Sequence, residues 1–282
     1  MSSAGSPETG DDSPAGPQPP RGTVSGMSSG GVEARSKPRA DDLRGKLRRL
    51  LKRPLYMTVS VMVTLIAAAG FLPGMIRKAV NGKIPPDAII HVHVAVYWIW
   101  LALFFAQTVN AALGRMRQHR KLGKWLIGYG VLMWIIGEWV TLNRFVKQWH
   151  HGQPDMARTV NLAPFIDMIA FPFVFGAAVY FRRKPEIHKR LMVVTATMLV
   201  YAAMVRVQFP SFMQGYFVFM LIWTAPVLVG MLHDWFTRRL VHPAYLVGLV
   251  VLLVLSQRPK LLNGRLWTRT TDGLAYVFQP KT

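Results

Sequence analysis

The sequence predicts an all-α, polytopic membrane bundle of about seven transmembrane helices, built in part from a repeated helical hairpin. Three observations carry that expectation. Of 282 residues, 51% are hydrophobic, yet the formal net charge is +21 and sits between long uncharged runs. Those runs have membrane length. Two of the basic turns between them share one pattern. Apolar stretches that face lipid, joined by short loops rich in Lys and Arg, produce such a chain. Strong basicity would also suit nucleic acid, but here the cations flank apolar spans. The partners expected are therefore the lipid bilayer and anionic lipids at its cytoplasmic face, and no nucleic acid. The chain has no cysteine, which excludes disulfides, thiolate ligands, c-type haem attachment and a cysteine nucleophile.

Residues 1–40 are rich in Ser, Gly, Pro and Asp. Too few large apolar side chains are present to offset the entropy of ordering, so a disordered tail is expected. Residues 41–54 place Leu at helical spacing among cations, the pattern of a basic amphipathic segment lying in the interface. The spans are expected at about 55–76, 88–114, 125–143, 159–181, 191–209, 215–235 and 241–257, where a rise of ~1.5 Å per residue crosses much or all of a ~30 Å hydrocarbon core. Pro243 suits the first turn of the last helix. Residues 258–282 form a polar tail whose apolar cluster, Leu274 to Phe278, is too short to span.

The cations set the threading. Arg115, Arg117, Arg120, Lys121 and Lys124 follow the second span, and Arg182, Arg183, Lys184, Lys189 and Arg190 follow the fourth. The opposite loops are poorer, which places the N-terminus in the cytoplasm and the C-terminus outside. The same two turns read basic-x-x-x-His-basic-basic-Leu, around His119 and His188, and suggest an internal repeat.

With that threading the ionisable residues fall into two layers. An outer pocket is expected from His93, Trp100 and Gln107 on one face of the second span, with Glu138, Asp167 and Arg206 from three other helices. Ionisable groups inside a bilayer cost ~2.5–3.5 kcal/mol each on insertion scales, so they are functional candidates, and Asp167 and Arg206 are natural ion-pair partners. The inner layer holds His119, His188, His233, Asp234 and His242. A metal requires imidazoles converging from several elements, and a haem requires axial His on facing helices.

The His119-Arg120-Lys121-Leu122-Gly123 turn, the His188-Lys189-Arg190-Leu191-Met192 turn and the stretch from Asp234 to Tyr245 resemble an uncharacterised group of bacterial multi-pass inner-membrane proteins. The first turn is similar to the His-Arg-x-Leu-Gly turn of the DUF2306 membrane proteins. The resemblance spans about residues 85–250. It implies location in the bacterial inner membrane and multi-pass topology, and no activity or catalytic residue.

Two classes of function follow. One is a His-rich cofactor- or metal-binding membrane protein, with haem b or a divalent metal as the cofactor and electron transfer as the role. The other is a small-solute or proton-coupled transporter or sensor that uses the Glu138, Asp167 and Arg206 cluster. A metal-dependent intramembrane hydrolase built on His93, Asp167 and Glu138 is a third, but no soluble-type hydrolase motif accompanies it.

Overall fold

A computed structural model describes residues 54–83 and 87–278. The expected tail over 1–40 and nearly all of the amphipathic segment over 41–54 lie outside the described residues. Within them the chain is all-helical: α1 Pro54–Val80, α2 Ala88–Ala112, α3 Met116–His150, α4 Pro154–Tyr180, α5 Pro185–Leu199, a short α6 Tyr201–Met204, α7 Tyr216–Arg238, α8 Pro243–Ser256 and α9 Arg265–Val277. Five helices, α1 to α4 and α7, are long and apolar enough to cross a membrane.

Helix ends differ from the sequence expectation in both directions. α3 runs 35 residues from Met116, or ~52 Å, whereas the expected span begins at residue 125. Arg, Lys, Gln, Met and Leu are good helix formers, so the helix continues through a charged turn that no longer lies in lipid. The tight connections on either side close on left-handed glycines, Gly114 (φ 73°) and Gly152 (φ 72°), a conformation most side chains avoid. The stretch expected as one span over 191–209 is divided instead. α5 ends at Leu199, Val200 turns, and α6 adds one further turn. α8 has 14 residues, ~21 Å of helix, which is short of a full crossing.

α5 is the axis of the bundle. It packs against α4, α7, α8 and α1, and its Val193, Val194, Thr195, Ala196, Thr197 and Met198 are all buried in succession. A helix buried on every side need not be amphipathic. Its threonines satisfy their hydroxyls locally: Thr195 and Thr197 donate to the carbonyls of Leu191 and Val193, each at 2.8 Å. Neighbours in chain order also pack, α1 on α2, α2 on α3 and α3 on α4, and α1 closes the bundle against α6 and α7. Lipid-length helices whose outward faces carry Leu65, Ile135, Trp139, Ile169, Phe173 and Leu221 are consistent with an integral membrane protein.

The C-terminal segment is more than a polar tail. After α8 a 3-10 turn, Arg258–Leu261, packs on α4 and leads into α9. Arg158 of α4 then bonds Asp272 at 2.6 Å and Thr271 at 3.2 Å, and Phe165 meets Trp267 edge-on.

Candidate functional site

The two repeated turns come together. His119 is the fourth residue of α3 and His188 the fourth residue of α5. Each reaches back to the helix before it: His119 Nδ1 lies 3.3 Å from the Gln107 carbonyl of α2, and His188 Nδ1 lies 2.7 Å from the Ala178 carbonyl of α4. The Gln107 side chain returns the contact by donating to the His119 carbonyl at 3.2 Å. A carbonyl only accepts, so in each ring Nδ1 is the donor, which leaves Nε2 as the nitrogen for any further partner. The ring centres are 6.4 Å apart, with planes at 79°.

Histidines that bind metals commonly anchor their other ring N–H to a carbonyl or carboxylate in this way. Distance then discriminates between metal geometries. With a metal–nitrogen bond of ~2.1 Å and ~1.2 Å more to the ring centre, two ligands in line place their centres ~6.5 Å apart. A tetrahedral ion would bring them to ~5.3 Å by the same bond length. The observed 6.4 Å between ring centres is closer to the first value. Among the described residues no group of three or more His, Asp or Glu could hold a metal ion, so a tetrahedral zinc site lacks ligands.

The other inner candidates do different work. Asp234 takes a bidentate pair of bonds from Arg190: Nε at 2.8 Å and Nη2 at 2.5 Å. The third nitrogen, Nη1, bonds both the Glu186 carboxylate at 2.8 Å and the Glu186 carbonyl at 2.6 Å. Lys189 and Arg238 also bond Glu186. Partial desolvation tends to raise this carboxyl. Hydrogen bonds from Lys189 and Arg190, with the charges of Lys189 and Arg238, outweigh that and hold it at about 2. His242 caps α8 by accepting from the Ala244 N–H at 3.1 Å, and its own N–H donates to Asp234. Its imidazole pKa is lowered, first by burial and then by the Arg190 charge. His233 is exposed and its carbonyl accepts from Thr237. Nothing places His233 or His242 beside the His119–His188 pair.

Nothing in the comparisons with protein-family models, curated proteins and solved structures matches this chain. What the molecule can do therefore rests on its own geometry.

The outer layer is rearranged relative to expectation. Gln107 does not belong to it: 14 residues beyond His93 on one helix is ~21 Å, and the structure uses it beside His119. Trp100 is buried in an aromatic cluster with Phe171 and Phe175. His93 packs against Tyr97, with ring centres at 4.4 Å and planes tilted by 34°, and lies within reach of the Arg206 charge. Tyr97 bonds the Met168 sulfur and feels both Asp167 and Glu138. Arg206 is exposed, donates to the Ala202 carbonyl and lies over the Phe71 ring. It is not the partner of Asp167. That role falls to Arg258, whose Nη1 donates to Asp167 Oδ2 at 2.7 Å. The reason is burial. Arg206 satisfies itself at the rim of α6, whereas the turn after α8 carries Arg258 into the interior, where its side chain is 2% exposed. A cavity of about 370 Å³ beside α6 is lined by Met204, Val207, Gln208, Phe209 and Gln214, and by none of the six expected pocket residues.

Sequence reasoning missed Arg190 as a buried residue and Arg258 altogether. Arg190 was counted among loop cations, although Glu186 four residues earlier signals an i,i+4 pair. For Arg258 the available signal was a lone Asp in an apolar span together with a cation directly after the last apolar helix.

Proposed function

We propose that this chain is an integral membrane protein that holds a metal centre between His119 and His188, with the iron of a b-type haem as the group that fits. The observation that carries the reading is the pair itself: two imidazoles 6.4 Å apart, each held by a backbone carbonyl through Nδ1. A haem would need only two protein ligands, and His119 and His188 would be the residues that hold its iron. The first of the two turns supplies Arg120 and Lys121, cations of the kind that pair with carboxylate side arms at a membrane edge. Such a centre would exchange electrons at the basic-turn end of the bundle.

The reading comes with a topology. The cation bias supports a cytoplasmic N-terminus and an outside C-terminus. Two short elements, α5 with α6 and α8 with its following turn, would complete seven crossings. The resemblance of the turns would place the protein in a bacterial inner membrane. A second reading, a small-solute or proton-coupled transporter or sensor, draws on the outer end. There Glu138 is half-buried and forms no ion pair among the described residues.

Absorption spectroscopy tests the first reading. Protein expressed with ample haem and purified in detergent is expected to show a Soret band and the sharp reduced α-band of bis-histidine iron. His119→Ala and His188→Ala should each remove the low-spin signature, while His233→Ala should leave it intact. Colourless wild-type protein would exclude haem at this site.

A further inference from the structure

Arg258 is the most enclosed cation at the outer end. Its guanidinium lies over the Tyr201 ring, 4.1 Å from the centroid, and only Nη1 is bonded, to Asp167. Nε and Nη2 are buried with no hydrogen-bond partner, and so is Asp167 Oδ1. Nε and Nη2 form the side-on fork of arginine, the edge that Arg190 uses to grip Asp234. That fork matches a carboxylate in spacing and planarity. A buried arginine with two unmet donors is costly, and an ionisable group inside a membrane bundle is a functional candidate by default.

We propose that Arg258 and Asp167 form a binding site for a small carboxylate. The Nε/Nη2 fork holds its carboxylate group, and Asp167 Oδ1 accepts from a donor on the neighbouring carbon. Tyr201 and the Asp167–Nη1 bond fix the plane and rotation of the guanidinium, so the fork is set before the ligand arrives. Two further unpaired polar atoms are buried, Asn161 Oδ1 on α4, the helix of Asp167, and Trp267 Nε1 on α9, which follows the turn of Arg258. The ligand must be small, because protein covers the fork. The turn carrying Arg258 is tied to the bundle by side chains near its start: Tyr216 with Ser256 at 3.0 Å, and Gln257 with Ser256 at 3.0 Å and with Tyr216 at 3.3 Å. The site is independent of the His119–His188 pair.

Thermal unfolding of the full chain in detergent, titrated with sodium acetate or sodium lactate at constant ionic strength set with sodium chloride, tests the proposal. Both anions are expected to raise the midpoint saturably. Lactate, whose hydroxyl serves Asp167, should half-saturate at roughly ten-fold lower concentration, as expected for one hydrogen bond to a charged group. Arg258→Lys keeps the charge and removes the fork, and should abolish both shifts, while His119→Ala should keep them. The absence of a saturable shift in the wild type overturns the proposal whether or not the variant folds. So does a wild-type response in Arg258→Lys. Equal midpoints for acetate and lactate would remove Asp167 from the site.

Discussion

Two arginines of this bundle are each buried against an aspartate, and they are used differently. Arg190 is 1% exposed and Asp234 2% exposed, and all three guanidinium nitrogens are bonded. Arg258 is 2% exposed and Asp167 10% exposed, and one nitrogen of three is bonded. The first pair is backed by Glu186, Lys189 and Arg238 and joins α5 to α7. The second joins α4 to a single turn after α8 and leaves polar atoms unmet. A satisfied buried pair fixes packing. A half-satisfied one retains binding capacity at the expense of stability. The same residue types thus mark a joint at one end of the bundle and a candidate site at the other.

The largest expected effect comes from breaking the satisfied pair. Arg190→Ala leaves Asp234 buried and unpaired and should cost ~3–5 kcal/mol, read as a collapse of the thermal midpoint and of detergent-soluble yield. A variant that unfolds like the wild type would show that the joint carries no load. The second test acts in the opposite direction. Replacing both members of the other pair, Arg258→Met with Asp167→Leu, removes three orphaned atoms at similar volume. It should be neutral or stabilising by ~1–4 kcal/mol, with any carboxylate response gone. A large loss of stability would make the two pairs equivalent and dissolve the contrast.

The smallest effect is a pH dependence at Glu186. Its carboxyl is held at about 2 in the fold, against an ordinary 4.5. A depressed pKa gives stability that is present above the ordinary value and is lost as pH falls toward the folded one. The wild type should therefore lose stability between about pH 4.5 and pH 2, and Glu186→Gln should lose less over that window. Glu186 is 45% exposed, so solvent screening keeps the difference modest. A difference confined to higher pH would point to another group.

Much of the helical layout was legible, because lipid-length apolar runs and the cations around them follow directly from the cost of burying charge. The five long helices fall where uncharged runs predict, and the repeated motif placed His119 and His188 in equivalent turns, but their approach to one another was not legible from it. Helix ends were not legible, since a helix continues through Arg and Lys once it leaves lipid, as α3 does from Met116. Long-range partners were not legible either. Asp167 needed a cation, and the sequence offered Arg206 at similar depth. The choice of Arg258 depends on a chain reversal after Gln257 that no local pattern encodes. Gln107 shows the same limit: its stripe on α2 was readable, but which end of the helix it served was decided by the turn that folds back on it.

The latch in each hairpin makes the connection a gauge of rotation. His119 meets a carbonyl 12 residues earlier and His188 one 10 residues earlier, each across a chain reversal. One residue added between carbonyl and imidazole would turn the following helix by ~100° about its axis, carrying the ring off its anchor and swinging the whole apolar face of α3 or α5 out of phase with its neighbours. Arg190 apart, whose fork grips Asp234, exposed cations in these turns act mainly through charge and tolerate exchange for one another. The number of residues cannot change, because it sets the phase of a helix that extends the depth of the bundle.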